Sequence, residues 1–332
     1  MKSYNKDTYK KEFFIKKISF LLIKKILNIL IFKKILYFLI YKFKNIFLNI
    51  NYKPLRGLIY DAISEKERFI ELKSENEKLF IFSDDKYLSR DLFINNEFDL
   101  YKLEKVMRIL NNTNFKTLYD IGANIGVISI PAVKRGYFEY AFAVEPEINN
   151  FNLLKKNVKL NNLNEKIFIY NYALSNSDDI NLEMELSEDN SGDHRIRLPD
   201  PKISIHNENE RKVLKVTSKK FDTLFKNLDP KKDLVWIDAQ GYEPIIMDGA
   251  ENLINSKTPV VIEFWPYGLK RNKLWEKIDF FLKKYDCFVN LNESQINKIE
   301  VSQKSLKELK NGWENEKKNS YSLFTDLLLI KN

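Results

Sequence analysis

Thr117-Leu-Tyr-Asp-Ile-Gly-Ala-Asn-Ile-Gly126 joins a short apolar run to two glycines that lie four residues apart. The run predicts a buried strand over 117–121, and the apolar spacing after the second glycine predicts a helix over 127–135. A strand, a glycine turn and a helix in this order bring the backbone close to a nucleotide-like ligand, because glycine has no Cβ to block the approach and tolerates positive φ. The stretch therefore predicts a nucleoside-type binding site.

A second strand is predicted over 140–145, and it ends in Glu145, about twenty residues after the glycine turn. In folds that bind nucleotides, an acid at this position accepts hydrogen bonds from the ribose hydroxyls. The glycine spacing differs from the dinucleotide pattern G-x-G-x-x-G, since Asn124 stands where the middle glycine would fall. The two features together favour a nucleoside with a free ribose diol.

Strand and helix patterns then alternate along the chain, which is typical of a parallel sheet. Strands are predicted over 166–171, 179–186, 212–216, 233–238 and 258–264, and helices over 148–161, 244–254 and 270–285. The segments 287–291 and 322–330 fit a closing pair of strands. Residues 188–209 are polar, loop-like and too long for an ordinary connection, which makes them a candidate functional insertion.

The segment before the glycine stretch predicts a separate lead-in. It contains a strand pattern over 78–82 and a helical pattern over 100–110. The sequence therefore predicts three parts: a basic apolar helical extension over 1–50, a lead-in or cap region over 51–111, and a large α/β domain over 112–332.

Positive charge is concentrated at the N-terminus. The 332 residues carry a net charge of +9, and residues 1–50 contribute +10 through twelve lysines and two acids. The rest of the chain carries −1, so it lacks the basic face of a nucleic-acid-binding domain. A single cysteine, Cys287, excludes an internal disulfide and favours a reducing, cytoplasmic compartment.

Residues 1–50 contain neither Gly nor Pro and place lysine pairs between apolar runs, which predicts helix. No uncharged run reaches the roughly 18–20 residues that a membrane-spanning helix needs. Two interpretations are open. The segment lies on an anionic membrane surface, peripheral on the inner face, with its lysines at the headgroups, or its helices pack on the core or on a partner with solvated lysines.

In their order and spacing, the motifs of the chain resemble the FkbM family of S-adenosylmethionine-dependent methyltransferases. The resemblance is carried by Asp120-Ile-Gly-Ala-Asn-Ile-Gly126, Val144-Glu-Pro146, Asn157, Ala173-Leu-Ser175, Ile237-Asp-Ala-Gln-Gly-Tyr-Glu243 and Gly249-Ala250. It covers residues 93–330 and implies S-adenosylmethionine as the methyl donor. It also implies an α/β fold of the Rossmann-like class I methyltransferase type, with a mostly parallel sheet and an antiparallel C-terminal strand. The family pattern usually has Lys at the position of Trp236 and Glu at that of Gln240, so no proton transfer is assigned to Gln240.

Four acids fall at the C-terminal ends of predicted sheet strands: Asp120, Glu145, Asp238 and Glu263. Open α/β sheets bind their ligands at this edge. Four carboxylates there would repel each other unless a cation or several hydrogen-bond donors lay among them. This edge is therefore the predicted site.

The cofactor site is predicted at the ends of the first three strands. Its residues are Asp120, Gly122, Ala123, Asn124, Gly126, Glu145 and Ala173. Glu145 would accept both ribose hydroxyls, and Ala173 would lie near adenine. Asp120 either holds the glycine loop, contacts the methionine part of the donor, or caps the following helix.

Two residues are candidates for the base that accepts the proton of an acceptor hydroxyl, His194 and Asp238. His194 belongs to Asp189-Asn-Ser-Gly-Asp-His-Arg-Ile-Arg197, which resembles a segment of one branch of the family. Alternatively, this insertion is a mobile surface loop with a solvated histidine. The second histidine, His206, is predicted to be exposed.

Acceptor binding is predicted for Arg195, Arg197, Gln240, Glu243 and Glu263. The arginines would clamp an anionic group of the acceptor, and Gln240 would form hydrogen bonds. Glu243 has an alternative role as a first-turn acid that the helix dipole favours. No metal is predicted, because the chain has no Cys/His cluster with ligand spacing.

The resemblance suggests methylation of an oxygen on a sugar or glycan, and a lipid-linked glycan would explain a basic apolar N-terminus. Two other classes are open. A nicotinamide-dependent oxidoreductase has a similar sheet, but the glycine spacing and the antiparallel closing strands count against it. A non-catalytic membrane- or glycan-binding protein with a decayed cofactor site is kept open by Trp236 and Gln240.

Overall fold

The computed structural model describes residues 30–48, 52–74, 76–111, 115–198, 204, 208–314 and 324–331. They form two compact units, which meet in the sequence at Arg68 and Phe69. This division falls inside the predicted lead-in segment. Residues 1–29 and His206 lie outside the described residues, and so do the predictions made for them.

The first unit is helical. Its helices are α1 (30–42), α2 (Lys44–Phe47) and α3 (Lys53–Ser64). Pro54 lies in the first turn of α3, where its missing N–H is not needed. Lys44 binds Glu67 at 2.6 Å within this unit.

None of the described helices combines the length and the apolar content needed to cross a bilayer. The helix α1 nevertheless exposes large apolar side chains: Leu30, Ile31, Phe32, Ile35, Phe38 and Leu39. Helices usually turn such residues away from water, so this surface is unusual for an α-helix.

The second unit is an α/β domain. In chain order its strands are β1 (Phe69–Lys73), β2 (Lys78–Phe82), β3 (Thr117–Ile121), β4 (Tyr140–Val144), β5 (Ile167–Tyr170), β6 (Ala173–Leu174), β7 (Asn181–Leu186), β8 (Arg195–Ile196), β9 (Lys212–Lys219), β10 (Asp233–Ile237), β11 (Val260–Phe264), β12 (Cys287–Asn290), β13 (Ile299–Glu300) and β14 (Thr325–Ile330). Its helices are α4 (Leu88–Asn95), α5 (Leu100–Leu110), α6 (Ser129–Lys134), α7 (Ile148–Leu160), α8 (Phe221–Leu224), α9 (Glu243–Asp248), α10 (Glu251–Ser256), α11 (Pro266–Arg271), α12 (Trp275–Leu282) and α13 (Gln303–Glu314), with a 3₁₀ turn at Glu208–Glu210.

The central sheet has eight strands in the order β13-β12-β14-β11-β10-β3-β4-β5. The strands β11, β10, β3, β4 and β5 are parallel, whereas β14 runs antiparallel to both β11 and β12. Every residue of β10 and β11 is buried, which explains why these segments read as continuous apolar runs. The predicted fold class, a mostly parallel Rossmann-like sheet with an antiparallel C-terminal strand, is confirmed.

A second sheet, in the order β6-β9-β7-β8, contains part of the predicted insertion. The interpretation of 188–209 as wholly loop-like was wrong for β8, which pairs with β7. Arg195 and Ile196 in β8 are both buried, and Arg195 bonds to Glu208 at 2.7 Å. The polar composition hid this strand because its charged residues compensate one another inside the protein.

Two predicted helices are each divided. The segment 244–254 forms α9 and α10, with Gly249 between them, where a Cβ would lie 2.1 Å from the carbonyl oxygen of Ser175. The segment 270–285 is covered by α11 and α12, separated at Lys273 with a φ of 56°. Apolar periodicity predicts neither break, because the first lies at a tertiary close approach and the second at a local positive φ.

Candidate active site

A cavity of about 1060 Å³ opens at the C-terminal ends of the central strands. The predicted site residues that line it are Asp120, Gly122, Ala123, Asn124, Glu145, Ala173, His194, Arg195, Asp238, Gln240 and Glu263. Gly126, Arg197 and Glu243 are not among the lining residues. The tertiary fold therefore brings three sequence-distant regions to one cavity: the glycine loop, the insertion and the segment after β10.

The glycine loop requires Gly122 for two reasons. Its φ is +86°, and a Cβ would lie 1.9 Å from the carbonyl oxygen of Asp238. Gly126 also has a positive φ, and a Cβ there would lie 2.7 Å from Ile130 and 2.9 Å from Leu154. The first glycine lets the loop meet the backbone after β10, and the second lets it pack on the helices α6 and α7.

Glu145 follows β4 and is 4% exposed. Its Oε2 accepts from the backbone N–H of Asn124 at 2.9 Å, and its Oε1 accepts from that of Glu147 at 2.8 Å. Each oxygen keeps a second lone pair that a ribose hydroxyl can use. Burial raises the pKa of this carboxyl to about 8, against the opposing effect of the two amides.

Asp120 is buried at the end of β3. Its carboxylate accepts from the backbone N–H of Ser129 at 3.2 Å and from the hydroxyl of the same residue. Ser129 is the first residue of α6, so Asp120 accepts the first N–H of that helix, although the N-cap position itself is Ile128. Burial raises its pKa to about 6.

The insertion is tied to the glycine loop through Ser191. Its carbonyl oxygen accepts from Asn124 Nδ2 at 2.7 Å and from Asn150 Nδ2 at 3.1 Å. Its backbone N–H and hydroxyl both donate to Asp85. The sequence analysis did not select Asn150 or Asp85.

His194 is partly buried in the insertion. Its Nδ1 accepts from the backbone N–H of Ser187 at 3.1 Å, so the neutral ring carries its proton on Nε2. Burial lowers the pKa of the imidazole, and the charges of Glu147 and Asp193 act in the opposite direction. The ring is therefore neutral near pH 7 and presents a donor at its second nitrogen.

The two predicted arginine clamps are paired inside the protein. Arg195 binds Asp193 and Glu208, and its guanidinium lies 4.4 Å from the ring centroid of Trp265. Arg197 binds Glu185 at 3.4 Å. These pairs join the insertion to the rest of the domain, and a clamp on the acceptor stays a prediction for both arginines.

Asp238, directly after β10, lies beside the glycine loop. Its Oδ1 accepts from Gln240 Nε2 at 2.8 Å, and the same amide donates to Glu263 Oε1 at 3.2 Å. Burial raises the pKa of Asp238 to about 7, and the negative charge of Asp326 adds to that shift. Gln240 therefore bridges two acids that end neighbouring strands.

Glu243 and Glu263 complete an acidic cluster with Asp238. One carboxylate oxygen from each of the three lies within 4.8 Å of the others. Glu243 Oε1 accepts from the backbone N–H groups of Ala239 at 2.8 Å and Gly241 at 3.2 Å. Burial raises the pKa of Glu243 to about 8 and that of Glu263 well above its ordinary value. Glu243, the first residue of α9, thus also occupies its predicted alternative position as a first-turn acid.

The position where the family pattern has lysine holds Trp236. This tryptophan is 3% exposed and lines the cavity from β10. Trp265, which the sequence analysis did not select, lines the cavity as well. Trp265 could have been selected from the sequence, since it directly follows the strand that ends in Glu263 and Phe264.

Comparison with known families identifies one match. The family described as "Methyltransferase FkbM domain" matches residues 120–287, about half of the chain. No curated protein sequence matches the chain.

Solved structures give weaker likenesses. The M. jannaschii tRNA m1G37 methyltransferase is 15% identical with a TM-score of 0.38, covering 80% of this chain and 58% of that one. A Methyltransferase FkbM from Methylobacillus flagellatus KT is 14% identical with a TM-score of 0.37, covering 69% and 53%. M. jannaschii TYW2 in complex with AdoMet is 13% identical with a TM-score of 0.37, covering 80% and 88%. The match thus spans somewhat more than half the length of the first two.

The chain belongs to the FkbM methyltransferase family, because the family match covers half of its length. Its cofactor is S-adenosylmethionine. The described residues fit this cofactor: the buried Glu145 has lone pairs available at the cavity wall, and Gly122 and Asn124 at positive φ bring backbone to the same wall. Family membership sets aside the oxidoreductase alternative.

Proposed function

We propose that the protein transfers the methyl group of S-adenosylmethionine to a hydroxyl oxygen of a sugar or glycan, with Asp238 as the general base. The observation that carries this proposal is a carboxyl of raised pKa, about 7, next to the glycine loop and in the same cavity as Glu145. A base with a pKa near the working pH is the effective one for an unactivated hydroxyl.

Geometry favours Asp238 over His194 as that base. The Nδ1 lone pair of His194 is occupied by the Ser187 amide, and Nε2 carries the proton of the neutral ring. His194 therefore offers a hydrogen-bond donor to the cavity. Asp238 has only one oxygen bonded to Gln240, and its carboxylate lines the cavity. We assign proton acceptance to Asp238 and donor contacts with the acceptor to His194.

S-adenosylmethionine would be held at the ends of β3 and β4. Glu145 would accept hydrogen bonds from its ribose hydroxyls, and the glycine loop would lie along the remaining part of the cofactor. Bound S-adenosylmethionine supplies an electrophilic sulfonium methyl, so the protein's main task is alignment. Orientation of two reactants can contribute about 7–11 kcal/mol to lowering the barrier.

A saccharide acceptor is supported by the polar and aromatic side chains among the residues that line the cavity. Carboxylates and amides there would bond to hydroxyls, and the face of an aromatic ring packs on the apolar face of a sugar. The residues that provide this surface are Tyr87, Asp189, His194, Gln240 and Trp265.

The test is transfer of isotopically labelled methyl from S-adenosylmethionine to a panel of glycans and lipid-linked saccharides. After acid hydrolysis, mass spectrometry of the monosaccharides would locate the label. A methyl ether on a sugar ring supports the proposal, and label on nitrogen or carbon contradicts it. Donor binding with no transfer to any acceptor, and no change on replacing Asp238, would favour the non-catalytic alternative.

We propose in addition that α1 contacts an anionic membrane surface. The exposed apolar residues of this helix stand next to lysines such as Lys33 and Lys34, as at a headgroup boundary. Co-sedimentation of the full chain with anionic vesicles should fall when Ile35 and Phe38 are both replaced by Asn. Equal sedimentation of both proteins would contradict membrane contact through this face, and equal binding to neutral vesicles would contradict the preference for an anionic surface.

A further inference from the structure

The carboxylates of Asp238, Glu243 and Glu263 converge from three different places in the chain. Asp238 follows β10, Glu243 begins α9, and Glu263 lies in β11. One oxygen of each lies within 4.8 Å of the others. Oxygens that share a Mg²⁺ or Ca²⁺ ion lie at most about 4–5 Å apart, since ligand distances are about 2.1–2.5 Å. The spacing is that of a shared ligand.

In each carboxylate, one oxygen accepts a hydrogen bond. The side-chain amide of Gln240 donates to Asp238 and Glu263, and backbone N–H groups donate to Glu243. The second oxygens of Glu243 and Glu263 are buried without a hydrogen-bond partner. These two residues are 0% and 4% exposed. Buried carboxylate oxygens without donors are costly, and an absent ligand is one explanation.

The charge of the cluster has no basic partner. Among the described residues, no Lys or Arg forms an ion pair with Asp238, Glu243 or Glu263. The nearby cation Lys102 is already bound to Asp326 at 2.5 Å and to Asp99 at 2.9 Å. Gln240 supplies a neutral donor only. A positive ion would remove the repulsion that this arrangement otherwise contains.

We propose that Asp238, Glu243 and Glu263 form a binding site for a hard divalent cation of the Mg²⁺ and Mn²⁺ class. Carboxylate oxygens suit these ions, and softer metals prefer the thiolates and imidazoles that this cluster lacks. Asp238 and Glu263 line the cavity, so the ion has an entry path and room for water ligands. The three carboxylates would be the protein ligands of the ion.

The ion would also have a chemical role at the cavity. Its open coordination positions would bind the acceptor oxygen and lower the pKa of the acceptor hydroxyl. This role rests on the proposed function, whereas the site itself does not.

The competing explanation is that protons, instead of a metal, neutralise the cluster. The two explanations differ in their response to Glu→Gln substitution, since Gln copies a protonated Glu. If protons neutralise the cluster, no metal binds to the wild-type protein, and Glu243→Gln and Glu263→Gln have no effect on metal binding. If an ion binds, each substitution removes one of its three charged ligands.

The experiment is titration of the full-length protein with Mn²⁺, followed by the electron paramagnetic resonance signal of the free ion, and calorimetry with Mg²⁺. We expect one equivalent of Mn²⁺ to bind. Glu243→Gln and Glu263→Gln should each weaken binding by more than about 100-fold, because even partners outside the ligand shell contribute 10–100-fold. The control Glu276→Gln removes an exposed glutamate and should leave affinity unchanged.

Circular dichroism and thermal unfolding without metal identify any variant that fails to fold. If one fails, the wild-type stoichiometry and the other variant decide. No saturable Mn²⁺ binding to wild-type protein, or binding that both substitutions leave intact, overturns the site. Because binding is measured without an acceptor, absence of methyl transfer would count against the proposed function and leave the metal site standing.

Discussion

Glu145 and Glu263 stand at equivalent places and are built differently. Glu145 directly follows β4, Glu263 is the last residue but one of β11, and each is 4% exposed. The Glu145 carboxylate accepts two backbone N–H groups, one per oxygen. Glu263 accepts only from the side chain of Gln240, and its other oxygen has no hydrogen-bond partner.

The difference separates the two halves of the cavity. On the proposed donor side, the backbone N–H groups of Asn124 and Glu147 hold the Glu145 carboxylate without any ligand. On the proposed acceptor side, side chains form a cluster in which oxygens of Glu243 and Glu263 have no hydrogen-bond partner. A preorganised donor half and an incomplete acceptor half make separable predictions.

The largest effect is expected on the acceptor side. Asp238→Asn should reduce the methyl-transfer rate by about 10²–10⁴-fold, which is the usual contribution of a general base. Affinity for S-adenosylmethionine, measured by calorimetry, should change little, because Asn keeps the acceptor for Gln240. His194→Gln should have the smaller effect on rate. The reverse order would make His194 the base.

The pH profile sharpens the same comparison. Since Asp238 must be ionised to accept a proton and its pKa is raised to about 7 when no cation is bound, the wild-type rate measured with a chelator present should rise with pH through about 7 and then level. The residual rate of Asp238→Asn should lack this rise. A rise preserved in the variant would place the titrating group elsewhere.

The next effect concerns the backbone of the donor side. Gly122→Ala should destabilise the fold by about 3–5 kcal/mol, from positive φ and from overlap with the Asp238 carbonyl oxygen. Gly136→Ala is the matched control, with a φ of +78° and nothing within 4 Å of the added Cβ. It should cost about 1 kcal/mol. Urea unfolding measures both, and equal losses would show that the close approach at Gly122 is not essential.

A smaller effect is expected for the donor-binding acid. Glu145→Gln should weaken binding of S-adenosylhomocysteine by about 10–100-fold, as expected when a charged hydrogen-bond acceptor is replaced by a neutral one. Glu139→Gln, at the exposed opposite end of the same strand region, should not change the affinity. Calorimetry checks both variants.

Proton linkage gives that prediction a second readout. Ribose hydroxyls need the ionised carboxylate, whereas burial holds the pKa of Glu145 at about 8. Binding to wild-type protein should therefore strengthen as pH rises from 7 towards 8 and release a proton. Glu145→Gln should remove this dependence, and affinity that is flat with pH in the wild type would contradict the assignment.

Much of the fold followed from local sequence. The strand over 117–121 and the closing antiparallel strands were predicted because short apolar runs bounded by turn residues are a local signal. The division of 244–254 at Gly249 was not predicted. It depends on a close approach to the carbonyl oxygen of Ser175, a residue more than seventy positions away in the chain.

For the candidate site, too, some features were predictable from local sequence and others depended on contacts between distant residues. Acids at strand ends could be placed at one sheet edge from the sequence, because parallel strands share that edge. The pairing of Arg195 with Glu208, and the bridge from Ser191 to Asn124, required the folded chain. The approach of Glu243 to Asp238 and Glu263 also required the folded chain, because these three acids stand at irregular spacing in the sequence.

The sequence by itself determined the α/β class and the nucleoside-type turn from patterns of neighbouring residues, and the family from the order and spacing of short motifs. Only the tertiary structure decided which lone pairs and protons each side chain has available. Hydrogen bonds between distant segments made His194 a donor, held Glu145 with backbone amides, and left oxygens of Glu243 and Glu263 without donors. Such contacts depend on three-dimensional distance, which local sequence patterns do not contain.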